Sequence, residues 1–181
     1  MIKRIKLNME EIESMLYFWQ ASKDREKVAE QYLVEIAALP GLSSCYDNEF
    51  NAESVRKVLS AITNRELLSN KTQKEGRFWN NNMWMMEDIS YTYRMIQPLK
   101  KLNVDSLVQG LSQYTTDYEE IEVIFAPLHI DEYIISGNKV IINFFRVMPN
   151  AEDENDEKGT IDGLELKAYV ESKIIELLTA K

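Results

Sequence analysis

The run IEVIFAPLHIDEYIISGNKVIINFFRV, residues 121–147, decides the fold class. Ile121, Val123 and Phe125 recur at every second position, and Pro127 ends the strand they predict. Tyr133, Ile134 and Ile135 then lead into Ser136-Gly137-Asn138, and Val140–Val147 follows. Two β-branched runs on either side of a Gly-Asn pair predict a β-hairpin.

Upstream, the apolar period changes from two to three or four, the spacing of one face of a helix. Helices are expected at Met9–Ala21 (Ile12, Met15, Leu16 and Trp19), Asp24–Leu39, and from an Asn51 cap to about Leu68. A long helix is expected over Gly76–Leu102 and a short one over 104–114. Asn8 and Glu11 have the spacing of a capping box for the first helix, and Pro40-Gly41 should stop the second. Pro98 should kink or end the long helix nearby. Ile2, Ile5 and Leu7, among Lys3, Arg4 and Lys6, suggest a short edge strand. Downstream of the hairpin come an acidic loop at 150–158 and a last helix at Leu164–Ala180.

The expected class is therefore α+β: a predominantly helical part over residues 9–114, a small antiparallel sheet with a hairpin over about 121–147, and a C-terminal helix. With 181 residues, the chain suits one domain, its helical part at 1–115 and its sheet with closing helix at 116–181. At 45% apolar residues it can bury a proper core, and a chain of this size hides roughly two thirds of its unfolded surface.

Net charge is −9, which phosphate backbones and anionic membranes repel, so neither nucleic acid nor membrane is an expected partner. No apolar run approaches the span of about 20 residues that crosses a bilayer, and no leader pattern follows MIKRIKL at 1–7. One cysteine, Cys45, allows no internal disulfide and fits a reducing, cytoplasmic setting.

The chemistry-bearing candidates are few. A catalytic thiol at Cys45 needs a base, and the single histidine, His129, lies far along the chain. His129 with Asp131 and Glu132 supplies one imidazole where a zinc site takes three or four protein ligands, so zinc is not expected. The stretch ENDEKGTIDGLE at 154–165 resembles an EF-hand calcium loop. Gly159 falls at its sharp turn, Asp156 and Asp162 at ligand positions, and Glu165 at the bidentate position. Against that reading, Glu154 replaces the first aspartate and Lys158 stands at a ligand position. No cofactor is expected apart from calcium there, and the plainer reading is an acidic loop before a helix. The aromatic and methionine cluster of the long helix offers Trp79, Trp84 and Met86 as a partner-binding face beside its core role.

In layout, the chain resembles the region that precedes the metal helix in gluzincin-type (HExxH) predicted zinc-dependent peptidases. The matching stretches are ALPGL (38–42), IQPLKKL (96–102), EVIFAPLHIDEYIISGNKVIINFF (122–145) and KIIELLTAK (173–181). The resemblance covers most of the chain, but HExxH itself is absent, with no second histidine, so no functional residue carries over. It implies a relative without the catalytic helix. The leading expectation is a non-catalytic domain that binds a protein partner. The alternatives are a truncated or degenerate zinc metallopeptidase, and an acidic inhibitor or immunity-type protein masking a basic site.

Overall fold

A computed structural model describes residues 1–129, 132–153, 155–156 and 158–180. A strand, β1 (Arg4–Asn8), leads into α1 (Glu10–Lys23), α2 (Glu30–Ala37), α3 (Pro40–Ser43), α4 (Ala52–Thr63), α5 (Gln73–Glu87), α6 (Ile89–Lys101) and α7 (Leu107–Leu111). Then come β2 (Glu120–Ala126), β3 (Tyr133–Ser136), β4 (Lys139–Asn143), a 3-10 turn at Phe144–Arg146, β5 (Met148–Pro149), β6 (Gly159–Ile161), β7 (Leu164–Glu165) and α8 (Leu166–Thr179). The α+β class stands, and no helix among the described residues is long and apolar enough to cross a membrane.

The hairpin lies where its turn chemistry put it. β3 and β4 pair antiparallel around Gly137, whose φ of +59° suits a residue without a Cβ. The sheet that contains it is mixed: its order is β1-β2-β4-β3, and β2 runs parallel to both β1 and β4. The expectation of an antiparallel sheet over 121–147 is corrected to this extent. Strand period fixes which side chains are buried, whereas direction depends on the route of the connections. A wholly antiparallel three-stranded sheet, β5-β6-β7, lies further on at 148–165. β1 is the predicted edge strand, with Ile5 buried and Lys3, Arg4 and Lys6 exposed.

Several helix boundaries move, each for a local reason. Residues 24–29 form a loop because Arg25 adopts φ +59°, closing α1 with bonds from Arg25 N to Ser22 O and Glu26 N to Ala21 O. Pro40 starts α3 instead of stopping a helix, since its missing N–H is harmless at the first helical position. Asn51 caps α4 as expected, but the partner residue is Ser54 and the helix ends at Thr63, with Arg65 at φ +56°. Asn8 does not cap α1; its side chain accepts from Glu10 N, and Glu11 turns inward.

Glu11 is 1% exposed. Its carboxylate accepts from Gly41 N and, at 3.0 Å, from Leu42 N, so it satisfies the first donors of α3 and not those of its own helix. A Cβ at Gly41 would come within 2.7 Å of both carboxylate oxygens and of Ala126 Cβ, and this close approach explains the glycine. Trp19, Phe18, Phe50, Phe78, Phe125 and Phe144 are fully buried, each stabilising the fold by about 2 kcal/mol through the area it hides. α1 and α3 pack on β2, and α8 packs on β4.

Candidate partner-binding surface

The expected long helix is two helices that meet at Asp88. Its φ of −126° and ψ of 84° cannot continue a helix, and its side chain accepts from Tyr91 N at 3.0 Å, capping α6. Three further side chains brace this elbow and the helix leading to it. Thr92 Oγ1 lies 2.8 Å from Met85 O and 3.2 Å from Asp88 O. Lys23 Nζ donates to Met86 O at 2.8 Å and to Glu87 O at 3.3 Å, covering carbonyls that the break leaves open. Asn82, fully buried, accepts from Trp19 Nε1 at 2.9 Å and donates to Phe78 O at 2.8 Å, tying α5 to α1. Pro98 lies within α6, ten residues beyond the break.

Because α5 is pinned by its inner face, its outer face carries the aromatic surplus. Trp84 is 62% exposed, an unusual state for the largest apolar side chain, while Trp79 is half-buried and Met86 buried. The three residues expected to form a partner face come together: all line one groove of about 470 Å³, beside Lys23 and Arg65. Trp84 is also a wall of a second groove, about 460 Å³, that lies under the elbow. Met85, Tyr91 and Met95 form the helical side of this groove, and Phe145, Val147 and Met148 form the other. Met148 is 54% exposed. Trp84 is thus a ridge between two concave surfaces, one largely apolar and one that mixes aromatic and methionine side chains with Lys23, Arg65 and Glu87, and methionine on both makes them adaptable in shape. A further groove of about 460 Å³ runs between α1 and α6, with Tyr17 and Tyr93 on its rim and Tyr93 Oη donating to Gln20 Oε1 at 3.2 Å.

The other sequence candidates lie elsewhere. Residues 159–165, the second half of the calcium-like stretch, fold as the β6–β7 hairpin. Asp162 and Gly163 form its turn with φ of +50° and +78°, and Asp162 Oδ1 accepts from Arg146 at 2.6 Å. Asp156 accepts from Asn150 Nδ2 at 2.7 Å, and this bond holds its carboxyl below the usual range. Glu165 is exposed and directly precedes α8 without capping it through its side chain. Asp162 is therefore a residue of the hairpin turn. Glu154 lies outside the described residues, among which no group of three or more His, Cys, Asp or Glu is arranged to hold a metal ion.

His129 is buried against Phe50, with ring centroids 4.3 Å apart, and its Nε2 donates to Cys45 O at 3.3 Å. Burial lowers the pKa of its imidazole, so the ring is neutral near pH 7. Burial pushes the Cys45 thiol up to about 12, and Cys45 Sγ donates to Leu42 O. An inert thiol and a ring bonded to a backbone carbonyl do not make a nucleophile and base. Glu132 lies 3.6 Å from Arg146, and Asp131 is outside the described residues.

Sequence reasoning found the α5 side of the surface and missed the rest. Asp88 carried a legible signal, an N-cap residue in mid-helix, hidden by apolar periodicity on both sides. Met148 and Phe145 carried none, because only the folded chain brings them to α5. In comparison with known proteins, no family model matches the chain, and no curated protein or solved structure matches it.

Proposed function

We propose that the chain is a non-catalytic protein-binding domain whose contact surface is the α5–α6 elbow around Trp84. The observation that carries this reading is the exposed indole of Trp84 standing between a largely apolar groove and a mixed one on a rigidly braced helix. Exposed tryptophans in braced surroundings supply large contact area at small entropic loss, which makes them frequent energetic centres of interfaces. The buried, unreactive state of Cys45 and His129 supports the absence of catalysis by those two groups.

The test compares capture by the wild-type protein and by Trp84→Ala. Removing the exposed ring should leave circular dichroism and the thermal midpoint unchanged and abolish retention of one or more proteins held by the wild type. Identical sets of captured proteins would refute the reading.

A further inference from the structure

The groove under the elbow does not end at Met148. That side chain also lines an adjoining groove of about 390 Å³ that follows residues 149–152 and the start of the β6–β7 hairpin. The two surfaces differ in character. Among the described residues lining the first, Asp88 is the sole charged side chain, and its carboxylate is engaged in capping α6. Among the described residues, the second is lined by three carboxylates, Glu152, Asp156 and Glu165, against one ammonium, Lys158. The bond from Asn150 keeps Asp156 ionised. Met148 therefore joins an apolar trough to an acidic one.

We infer that this joined groove takes a protein segment with an apolar face followed by lysine or arginine side chains. This rests on the reading of the Trp84 face as a contact surface, and adds to it the chemistry of the occupant. The apolar residues of the segment fill the space between Trp84, Tyr91 and Met148. Its cations meet Glu152, Asp156 and Glu165, where complementary charge sets orientation and speeds encounter. The N-terminal run of a second copy is not available as such a segment. Its own apolar and basic run, residues 2–7, is committed to the main sheet: Ile2 and Ile5 are buried, and Lys3, Arg4 and Lys6 pair with Glu119, Glu120 and Glu122.

The probe is a fluorescein-labelled amphipathic peptide of leucine and lysine, about 18 residues or five helical turns long. Its controls are a scrambled peptide of the same composition and a leucine–glutamate peptide of the same pattern. Anisotropy titrations of the full chain should show binding of the patterned lysine peptide alone. Trp84→Ala and Met148→Ala should each weaken it about tenfold or more, as loss of a central anchor does. Glu152→Lys with Glu165→Lys should weaken it likewise, whereas Glu26→Lys with Glu66→Lys, exposed acidic positions elsewhere, should not. Equal binding of the scrambled peptide, indifference to Trp84 and Met148, or absence of binding would overturn the inference. Trp84-dependent binding of the glutamate peptide would also overturn it while sustaining the contact surface itself. A dimer of the free chain that Trp84→Ala dissolves would instead identify a second copy as the occupant.

Discussion

Trp19 Nε1 donates to Asn82 Oδ1 across 2.9 Å, inside space from which water is excluded. The indole has a single donor, and Asn82 Oδ1 is the acceptor it meets. Asn82→Leu keeps the branching of the side chain, adds methyl bulk at a fully buried site and leaves the indole N–H unpaired, at an expected cost of about 2 kcal/mol or more. Chemical denaturation of the variant checks this, and Trp84→Ala, altered on the outer face of the same helix, serves as the unaffected comparison.

Glu11 gives the protein a pH dependence of defined sign. Burial, the dominant cause, raises its pKa from 4.5 to about 7 despite the two backbone donors. The folded state thus binds a proton more readily than the unfolded state, so the contribution is complete below 4.5 and is lost as pH rises through 7. The loss amounts to about 3 kcal/mol over that window. Glu11→Gln cannot titrate. The difference in unfolding free energy between wild type and variant should therefore shift by that amount between pH 4.5 and 7.5, and an unchanged difference would contradict the assignment.

Gly41 and Gly137 should respond to alanine for opposite reasons. At Gly41 the new Cβ meets Ala126 Cβ and the Glu11 carboxylate at 2.7 Å, and the backbone must shift to accommodate it. Gly137 has open space but a φ of +59°, so its alanine variant carries only backbone strain, about 1 kcal/mol. Gly41→Ala should lose at least twice as much, as overpacking of a close contact does. Thermal melts of the two variants rank them directly.

How far these features were legible in the sequence depends on their range. The hairpin was readable because Ser136-Gly137-Asn138 specifies its own turn, and Asn51 announced α4 by the same local logic. The elbow was not, because Met85, Ile89, Tyr93 and Ile96 keep helical spacings of three and four across Asp88 and the break is satisfied by Lys23, from another helix. Glu11 was misread for the same reason: its spacing to Asn8 matched a local cap, while its partners, Gly41 and Leu42, lie in a different helix. At the candidate surface, Trp79, Trp84 and Met86 were readable as a cluster on α5, and the facing wall from Phe145 to Met148 was not.

Arg25 should be replaceable with gain. It is exposed, has φ +59° and closes α1 in a conformation that glycine adopts freely. Arg25→Gly should raise stability by up to about 1 kcal/mol, read as a higher thermal midpoint. Arg65, with the same backbone, donates from its guanidinium to Ser22 O at 3.3 Å, so its glycine variant should gain less.

Cys45 should resist alkylation in the native protein. Its thiol is buried and its pKa of about 12 leaves very little thiolate near pH 8. Iodoacetamide labelling should therefore proceed only through the small opened population, far more slowly than in the denatured chain, and rapid labelling under native conditions would contradict the packing around Leu42 and His129.

The parallel pairing of β1 with β2 also bears on how the protein is made. Lys3 and its cross-strand partner Glu119 are 116 positions apart. At about 5–20 residues per second, a ribosome needs roughly 6–23 s to synthesise what lies between them. Ile2 and Ile5 have no strand to join during that interval. The three cations beside them, at 3, 4 and 6, discourage pairing with a neighbouring nascent chain until Glu119, Glu120 and Glu122 emerge to neutralise them.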